Sequence, residues 1–228
     1  MVANTRKGAQ PQSQAKLKFR EKLIVKGQST DVLLKKLKTL TTELMNMDQE
    51  VDAKSLDTVR KDLINRSLLL HKDRGVKAYV SCCIADMLRV YAPNAPYSQG
   101  ELQDIFQFFF NQLKLGLKGT DSAYYSEYYQ LLESLSTVKS VVLICDLPHA
   151  DDLVLELFRS FFTIVQRDLP KNVGICMSDI LVAVLDELGS WPDKLLETIM
   201  TQFMGKNKAR NSIFFHYLLS LPVNVLGT

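Results

Sequence analysis

The chain has no apolar run near the roughly 20 residues that a membrane-spanning helix requires, so no span is expected. Its N-terminus is polar and basic with no apolar stretch beside it, which argues against a secretory signal. Together these readings favour the cytosol or the nucleus. Histidine is scarce: the 228 residues contain three. His71, His149 and His216 lie far apart, in none of the HExxH, HxH or Cys/His spacings that hold a metal. The four cysteines, Cys82, Cys83, Cys145 and Cys176, likewise lack the spacing of a metal site or a disulfide framework. Cys82 and Cys83 diverge by about 100° on a helix, and reduced thiols packed as small hydrophobes are expected. No GxGxxG, no P-loop and no alternating strand pattern occurs. Asp151 and Asp152 fall in a helix's first turn, where the dipole favours negative charge. A catalytic site would have to gather distant residues, for example His71, Asp73 and Glu101, into one pocket. No enzyme activity and no cofactor are expected.

What the chain does have is an uneven distribution of charge. Residues 1–26 hold Arg6, Lys7, Lys16, Lys18, Arg20, Lys22 and Lys26 against Glu21 alone, seven positive less one negative, or +6. With a total of +3, the other 202 residues carry 21 positive and 24 negative charges, or −3. A whole-protein basicity argument for nucleic-acid binding therefore fails. The seven basic residues of the tail remain a candidate nucleic-acid contact, with a merely solubilising tail as the plainer alternative. Residues 1–28 show no helical period and read as a flexible basic arm. Within it, Leu17-Lys18-Phe19-Arg20 and Leu23-Ile24-Val25 alternate weakly and stand ready to order against a partner.

From Thr30 onward the pattern is helical. Ser29 or Thr30 caps a helix that turns Leu33, Leu37, Leu40 and Leu44 inward. Ser55 caps the next, with Leu56, Val59 and Leu63 on one face. A helix from Arg74 to Tyr91 follows, opened by Asp73. Ser98 and Glu101 form a capping box for a helix carrying Leu102, Ile105, Phe106, Phe109 and Leu113, ended by Gly116 and Gly119. The run Phe108-Phe109-Phe110 makes that stripe wide, as a helix touched from two sides requires. Further helices are read from Asp121, over Val141–Leu147, Asp151–Gln166 and Asn172–Leu188, from Pro192, and over Ala209–Ser220. The helix opened by Pro192 carries Leu195, Leu196, Ile199, Met200 and Phe203 as its apolar stripe. Tyr124, Tyr125, Tyr128 and Tyr129 cannot all face the core, so packing in a groove and exposure at an interface both stay open. Short connections and helix pairs of about 35–50 residues suit an all-α, irregular HEAT-type solenoid of antiparallel helix pairs over residues 29–228.

The most informative stretch is His71 to Ser98. Val76, Tyr79, Val80, Cys83, Met87 and Tyr91 recur at helical spacing, and the helix stops at Ala92-Pro93-Asn94-Ala95-Pro96-Tyr97-Ser98. One proline ends a helix; the second holds the loop extended and is expected to display Tyr97. Such a preset loop is a candidate peptide-docking site, formed by Tyr91, Ala92, Pro93, Asn94, Ala95, Pro96, Tyr97 and Ser98. Lys77, Asp86 and Arg89 are expected to add polar contacts from exposed turns of the preceding helix.

This block closely resembles the Ala-Pro-acid-Ala-Pro-Tyr segment of the precocious-dissociation-of-sisters family, HEAT-repeat regulators of cohesin. The resemblance covers about residues 30–205. It includes Leu40 to Gln49, His71-Lys72-Asp73, Cys82 to Asp86, Arg89 to Tyr97, Asp104-Ile105-Phe106 and Val138-Lys139-Ser140. It implies a non-enzymatic nuclear scaffold that binds the cohesin ring on chromatin through its kleisin subunit. In that family the Ala-Pro region engages the releasing factor Wapl and, in animals, its antagonist sororin; cohesin acetyltransferases are further partners. Asn94 stands where the family usually has an acid, which removes a charge from the motif. Family members exceed a thousand residues, so the kleisin-binding repeats are expected to lie beyond this chain, and the apolar end Phe214–Leu219 reads as a truncated array. Without the resemblance, the same residues describe a generic HEAT-like helical adaptor whose arm binds nucleic acid.

Overall fold

The computed structural model describes residues 15–165 and 170–204. Among the described residues, nine α-helices and one 3-10 helix make up the regular structure: α1 Thr30–Met45, α2 Ala53–Leu63, α3 Arg66–Leu69, α4 Arg74–Tyr91, α5 Gln99–Gly116, α6 Tyr125–Val138, η1 Ser140–Asp146, α7 Ala150–Val165, α8 Lys171–Glu187 and α9 Asp193–Met204. Among the described residues the sole β feature is an isolated bridge between Ala15 and Val51. The helix starts follow from local caps. Ser29 accepts from the Val32 N–H and Asp73 from the Val76 N–H. Ser98 and Glu101 close the reciprocal capping box, with the Ser98 N–H donating to Glu101 at 2.7 Å and the Glu101 N–H to Ser98 Oγ at 3.4 Å. Asp52, not Ser55, caps α2. Ser55 is occupied otherwise: its hydroxyl donates to the Asp52 carbonyl and accepts from the Leu17 N–H. The helix expected from Asp121 begins at Tyr125, because Tyr124 turns the chain through a left-handed conformation at φ 62°. The expected helix Ala209–Ser220, Phe203 and Gln166 lie outside the residues described at side-chain level.

Two rows of helices build the solenoid. In one, α1 packs on α4, α4 on α6 and α6 on α8; in the other, α5 packs on α7 and α7 on α9. Packing of α4 on α5 and of α5 on α6 joins the rows, so one apolar core runs from α1 to α9. Broad stripes are needed for this, and Phe108, Phe109 and Phe110 are all buried. In α9 the stripe is only half used: Leu195 and Ile199 are buried, whereas Leu196 and Met200, expected to face inward, are 39% and 47% exposed. No described element covers that side.

Helix α4 is the centre of the array. It touches α1, α2, α3, α5 and α6, and burial therefore extends around it to Ala78, Ser81, Cys82, Ile84, Ala85, Asp86, Leu88 and Val90 as well as its apolar stripe. The helix is enclosed on several sides and does not have the single buried face that its periodicity suggests. Its thiols are inert in consequence: burial pushes Cys83 up to about 12 and Cys82 well above the usual thiol range.

The arm expected to be flexible over residues 1–28 is, from Ala15 on, a strap packed against α1 and α2. Leu17, Phe19 and Leu23 are 0%, 6% and 1% exposed, each burial stabilising by about 1.5–3 kcal/mol. Its main chain is held by side chains of the body. Glu43 accepts from the N–H groups of Lys18 and Phe19, and Asp62 from that of Leu23 at 3.3 Å. Lys36 donates to the Lys22 carbonyl at 2.9 Å and to Gln28 at 2.8 Å. The weakly alternating residues thus order against the protein's own helices. Arg6 and Lys7 lie outside the described residues.

Candidate partner-docking loop

The loop from Tyr91 to Ser98 is carried between the end of α4 and the start of α5, and its backbone is tied down on both sides. Gln49 Nε2 donates to the carbonyls of Arg89 and Ala92, each at 3.3 Å. The Tyr91 hydroxyl donates to the Ala53 carbonyl at 3.2 Å, and Arg60 donates to that of Pro96. Within the loop, the Asn94 N–H donates to the Tyr91 carbonyl at 3.0 Å, and the Ala92–Pro93 peptide bond is cis. Four elements therefore fix it: the α1–α2 connection, α2, the end of α4 and the capping box of α5. Pro93, Asn94 and Ser98 are exposed; Tyr91, Ala92, Ala95 and Pro96 are half-buried.

Four residues assigned to this site, Tyr97, Asp86, Lys77 and Arg89, stand elsewhere than expected. Tyr97 is not displayed: it is 8% exposed, and its hydroxyl has no hydrogen-bond partner. Burial raises its pKa above the ordinary phenol value. The loop is not extended as expected either: it turns at Ala92–Pro93 and bends on to Tyr97, and the core, not solvent, took the ring. Asp86 is 5% exposed because α4 is surrounded, and burial raises its pKa although Arg89 opposes the shift. Lys77 lies fourteen residues before Tyr91 on α4, about 21 Å along the axis. It lines a separate groove with Arg66, Leu69, Leu70 and Phe108.

Arg89 is half-buried and points not to a partner but to α1. Its guanidinium donates to Asp86 at 3.1 Å and to the Leu44 and Met47 carbonyls at 2.7 and 2.8 Å. The carbonyls at the end of a helix have no partner within it; Arg89 supplies one from the neighbouring helix. Two sequence pieces that carried the family resemblance, Leu40 to Gln49 and Arg89 to Tyr97, thereby meet in space. Gln49 and Arg89 are the clamps between them. Arg60, Ala53 and Gln49 were not expected at the loop, and of these only Gln49 carried a signal, as the end of the Met-Asp-Gln piece.

Other candidates resolve into structure. His71 Nδ1 accepts from the Asp73 N–H at 3.1 Å, Asp73 caps α4, and Glu101 caps α5. Asp73 caps the start of the 18-residue α4, whereas Glu101 lies in the first turn of α5, past the far end of α4, about 27 Å away along the α4 axis, so the three do not form one pocket. Of the tyrosine cluster, only Tyr128 is fully buried; Tyr124 meets Tyr79 edge-on at 6.3 Å, and Tyr125 stacks with Tyr129 at 6.4 Å. Tyr79 donates to Glu127 at 2.8 Å and carries Lys38 over its ring at 5.6 Å. These contacts bridge α1, α4 and α6. Among the described residues no group of three or more His, Cys, Asp or Glu is placed to hold a metal ion.

An array of amphipathic helices in two packed rows, with a clamped proline loop and partly exposed apolar residues on the last described helix, defines a HEAT-type α-solenoid. The model of the sister chromatid cohesion protein PDS5 family matches residues 31–221. The chain is 39% identical over 186 residues to sister chromatid cohesion protein pds5 of Schizosaccharomyces pombe, and 36% over 196 residues to PDS5 of Saccharomyces cerevisiae. It is 32% identical over 190 residues to human PDS5 homolog A. These alignments span 81%, 84% and 82% of this chain but 15%, 15% and 14% of the relatives. A solved structure of the Pds5–Scc1 complex superposes with a TM-score of 0.81 at 33% identity, covering 90% of this chain and 33% of that one. The chain belongs to the PDS5 family and spans about one seventh of the length of the curated relatives it matches.

Proposed function

We propose that this chain acts as part of a cohesin-associated scaffold regulating sister chromatid cohesion in the nucleus. The observation that carries the reading is membership of the PDS5 family, with the match in fold to the Pds5–Scc1 complex. The scaffold works by contact and not by catalysis, which the family likeness supports. The cohesin partner that the family resemblance implies is the kleisin subunit, through repeats of the relatives that this chain does not span; the fold match to a Pds5–Scc1 complex supports the cohesin partnership. The regulatory contact is the clamped loop, where Pro93 and Asn94 protrude from a frame fixed by Gln49, Arg60 and Tyr91. Because the loop is ordered before binding, little conformational freedom is lost on association. Asp48 and Glu50 stand exposed beside Gln49, so the segment that docks is a basic peptide, of a Wapl-type release factor. A cohesin acetyltransferase is a second partner implied by the family. DNA contact through the basic arm is a third, weaker interaction. The test is recovery of cohesin and of the release factor on the tagged protein from mitotic cells, with depletion scored for early separation of sister chromatids. Co-recovery and early separation are expected; normal cohesion together with no cohesin recovered contradicts the proposal.

A further inference from the structure

The strap presents its basic residues in a way that the sequence alone does not convey. Leu17 and Phe19 are buried, whereas Lys16, Lys18, Arg20 and Lys22 are exposed. Burial with a period of two is that of an extended chain, in which alternate residues share one side and lie about 6.6 Å apart. Four cations thus stand along one edge within about 20 Å, a length over which a DNA strand carries about six phosphates. Lys16 is paired with Asp52 at 3.6 Å. Among the described residues no carboxylate pairs with the side chains of Lys18, Arg20 or Lys22. Two carboxylates of the body, Glu43 and Asp62, accept hydrogen bonds from strap N–H groups instead. They fix the backbone and leave the outward ammonium and guanidinium groups free.

We propose that residues 16–22 form a fixed cationic rail for the phosphate backbone of duplex DNA, with Lys18, Arg20 and Lys22 touching the phosphates. The proposal rests on the reading of the basic arm as a nucleic-acid contact and adds that the strap's docking is what makes it effective. The chemistry favours duplex over single strands and over an acidic protein. Single-strand binding uses aromatic platforms for the bases, and the strap's one aromatic ring, Phe19, is buried at 6% exposure. A protein interface needs an apolar or aromatic anchor at its centre, and the outward side carries none between Lys16 and Lys22. The exposed apolar residues Ile24 and Val25 lie beyond that stretch. Phosphates need only charge at fixed positions, and anchoring by Leu17, Phe19, Glu43 and Asp62 orders those positions before binding.

The experiment compares three versions of the 228-residue chain by fluorescence anisotropy on a short duplex over a salt series, with polyglutamate as a second probe. Replacing Lys18, Arg20 and Lys22 by alanine removes charge without touching the buried side of the strap. It should make the slope of log affinity against log salt shallower by about 2.7, about 0.9 for each phosphate no longer neutralised. Leu17→Ser with Phe19→Ser keeps every charge but frees the strap, which trypsin cleavage at Lys18 and Arg20 reports. It should weaken DNA binding by about five- to tenfold at one salt concentration. In the wild type, DNA should shield those same peptide bonds from trypsin. If the serine variant is cleaved freely yet binds DNA as the wild type does, the rail fails and a loose charged tail suffices. If the alanine variant also binds unchanged, the nucleic-acid reading of the arm fails with it. Polyglutamate bound as tightly as DNA, with the same weakening in the alanine variant, overturns the choice of DNA in favour of an acidic protein.

Discussion

Tyr97 and Asp86 show how far a residue's chemistry depends on what surrounds its helix. Tyr97 places a hydroxyl in the core without a partner, and an unpaired buried donor costs about 1–3 kcal/mol. Tyr97→Phe is therefore expected to leave thermal stability unchanged or slightly raised, and to leave capture of a docked peptide unchanged. A clear loss of peptide affinity would return Tyr97 to the role of an anchor. Asp86 is half-satisfied: Oδ1 meets Arg89 at 3.1 Å, while Oδ2 has no partner. Burial raises its folded-state pKa above the ordinary 3.8. A raised carboxyl contributes stability below the unfolded-state value and loses that contribution as pH rises through the folded one. The wild type should then gain stability relative to Asp86→Asn as pH falls from about 7 to about 4. Chemical denaturation of both proteins over that range checks it, since their other carboxyls cancel in the difference. A constant difference, or one of opposite sign, contradicts the assignment.

Helix starts were legible because caps are local: Ser29, Asp73 and the Ser98–Glu101 box are read within four residues of sequence. The starts that misled have non-local causes. Ser55 is occupied by the strap, and Tyr124 adopts its left-handed turn with its ring against Tyr79 of α4. Periodicity found the inward stripe of α4, but it describes one face, and α4 is covered on several. That is why Asp86 and Arg89 were expected to point outward. The strap was half legible for a related reason. Its weak alternation marked it as able to order, but not that the partner is the chain's own α1 and α2, where Glu43, Ser55 and Asp62 supply the hydrogen bonds. Close packing between elements gives a prediction of its own. A Cβ at Gly116, the last residue of α5, would overlap the ring of Tyr128, which is 1% exposed. Overpacking costs about 1–3 kcal/mol, more than the helix-propensity gain of about 1 kcal/mol. Gly116→Ala should lower the melting temperature by several degrees; an unchanged or raised melting point would mean that α5 and α6 are farther apart than described.

At the scale of the whole molecule, the solenoid serves as a frame that holds one short loop in place. Helix α1 ends at the Arg89 clamp, α2 supplies Arg60, and the capping box of α5 fixes the exit. The loop's position in the chain was legible from its prolines and from the resemblance, but its presented surface was not: Pro93 and Asn94 protrude, and Tyr97 does not. The measurement that tests this account most directly is the affinity of the full chain for a segment of a Wapl-type release factor. It compares the wild type, Pro93→Ala with Pro96→Ala, and Asn94→Asp. The double alanine variant should bind about 1–3 kcal/mol more weakly, with a melting temperature within a few degrees of the wild type, because the loop's prolines lie outside the core. Asn94→Asp, which restores the acid usual in the family, should bind a basic segment more tightly. Equal affinity for all three folded proteins would contradict the account and leave the loop as a turn between two helices.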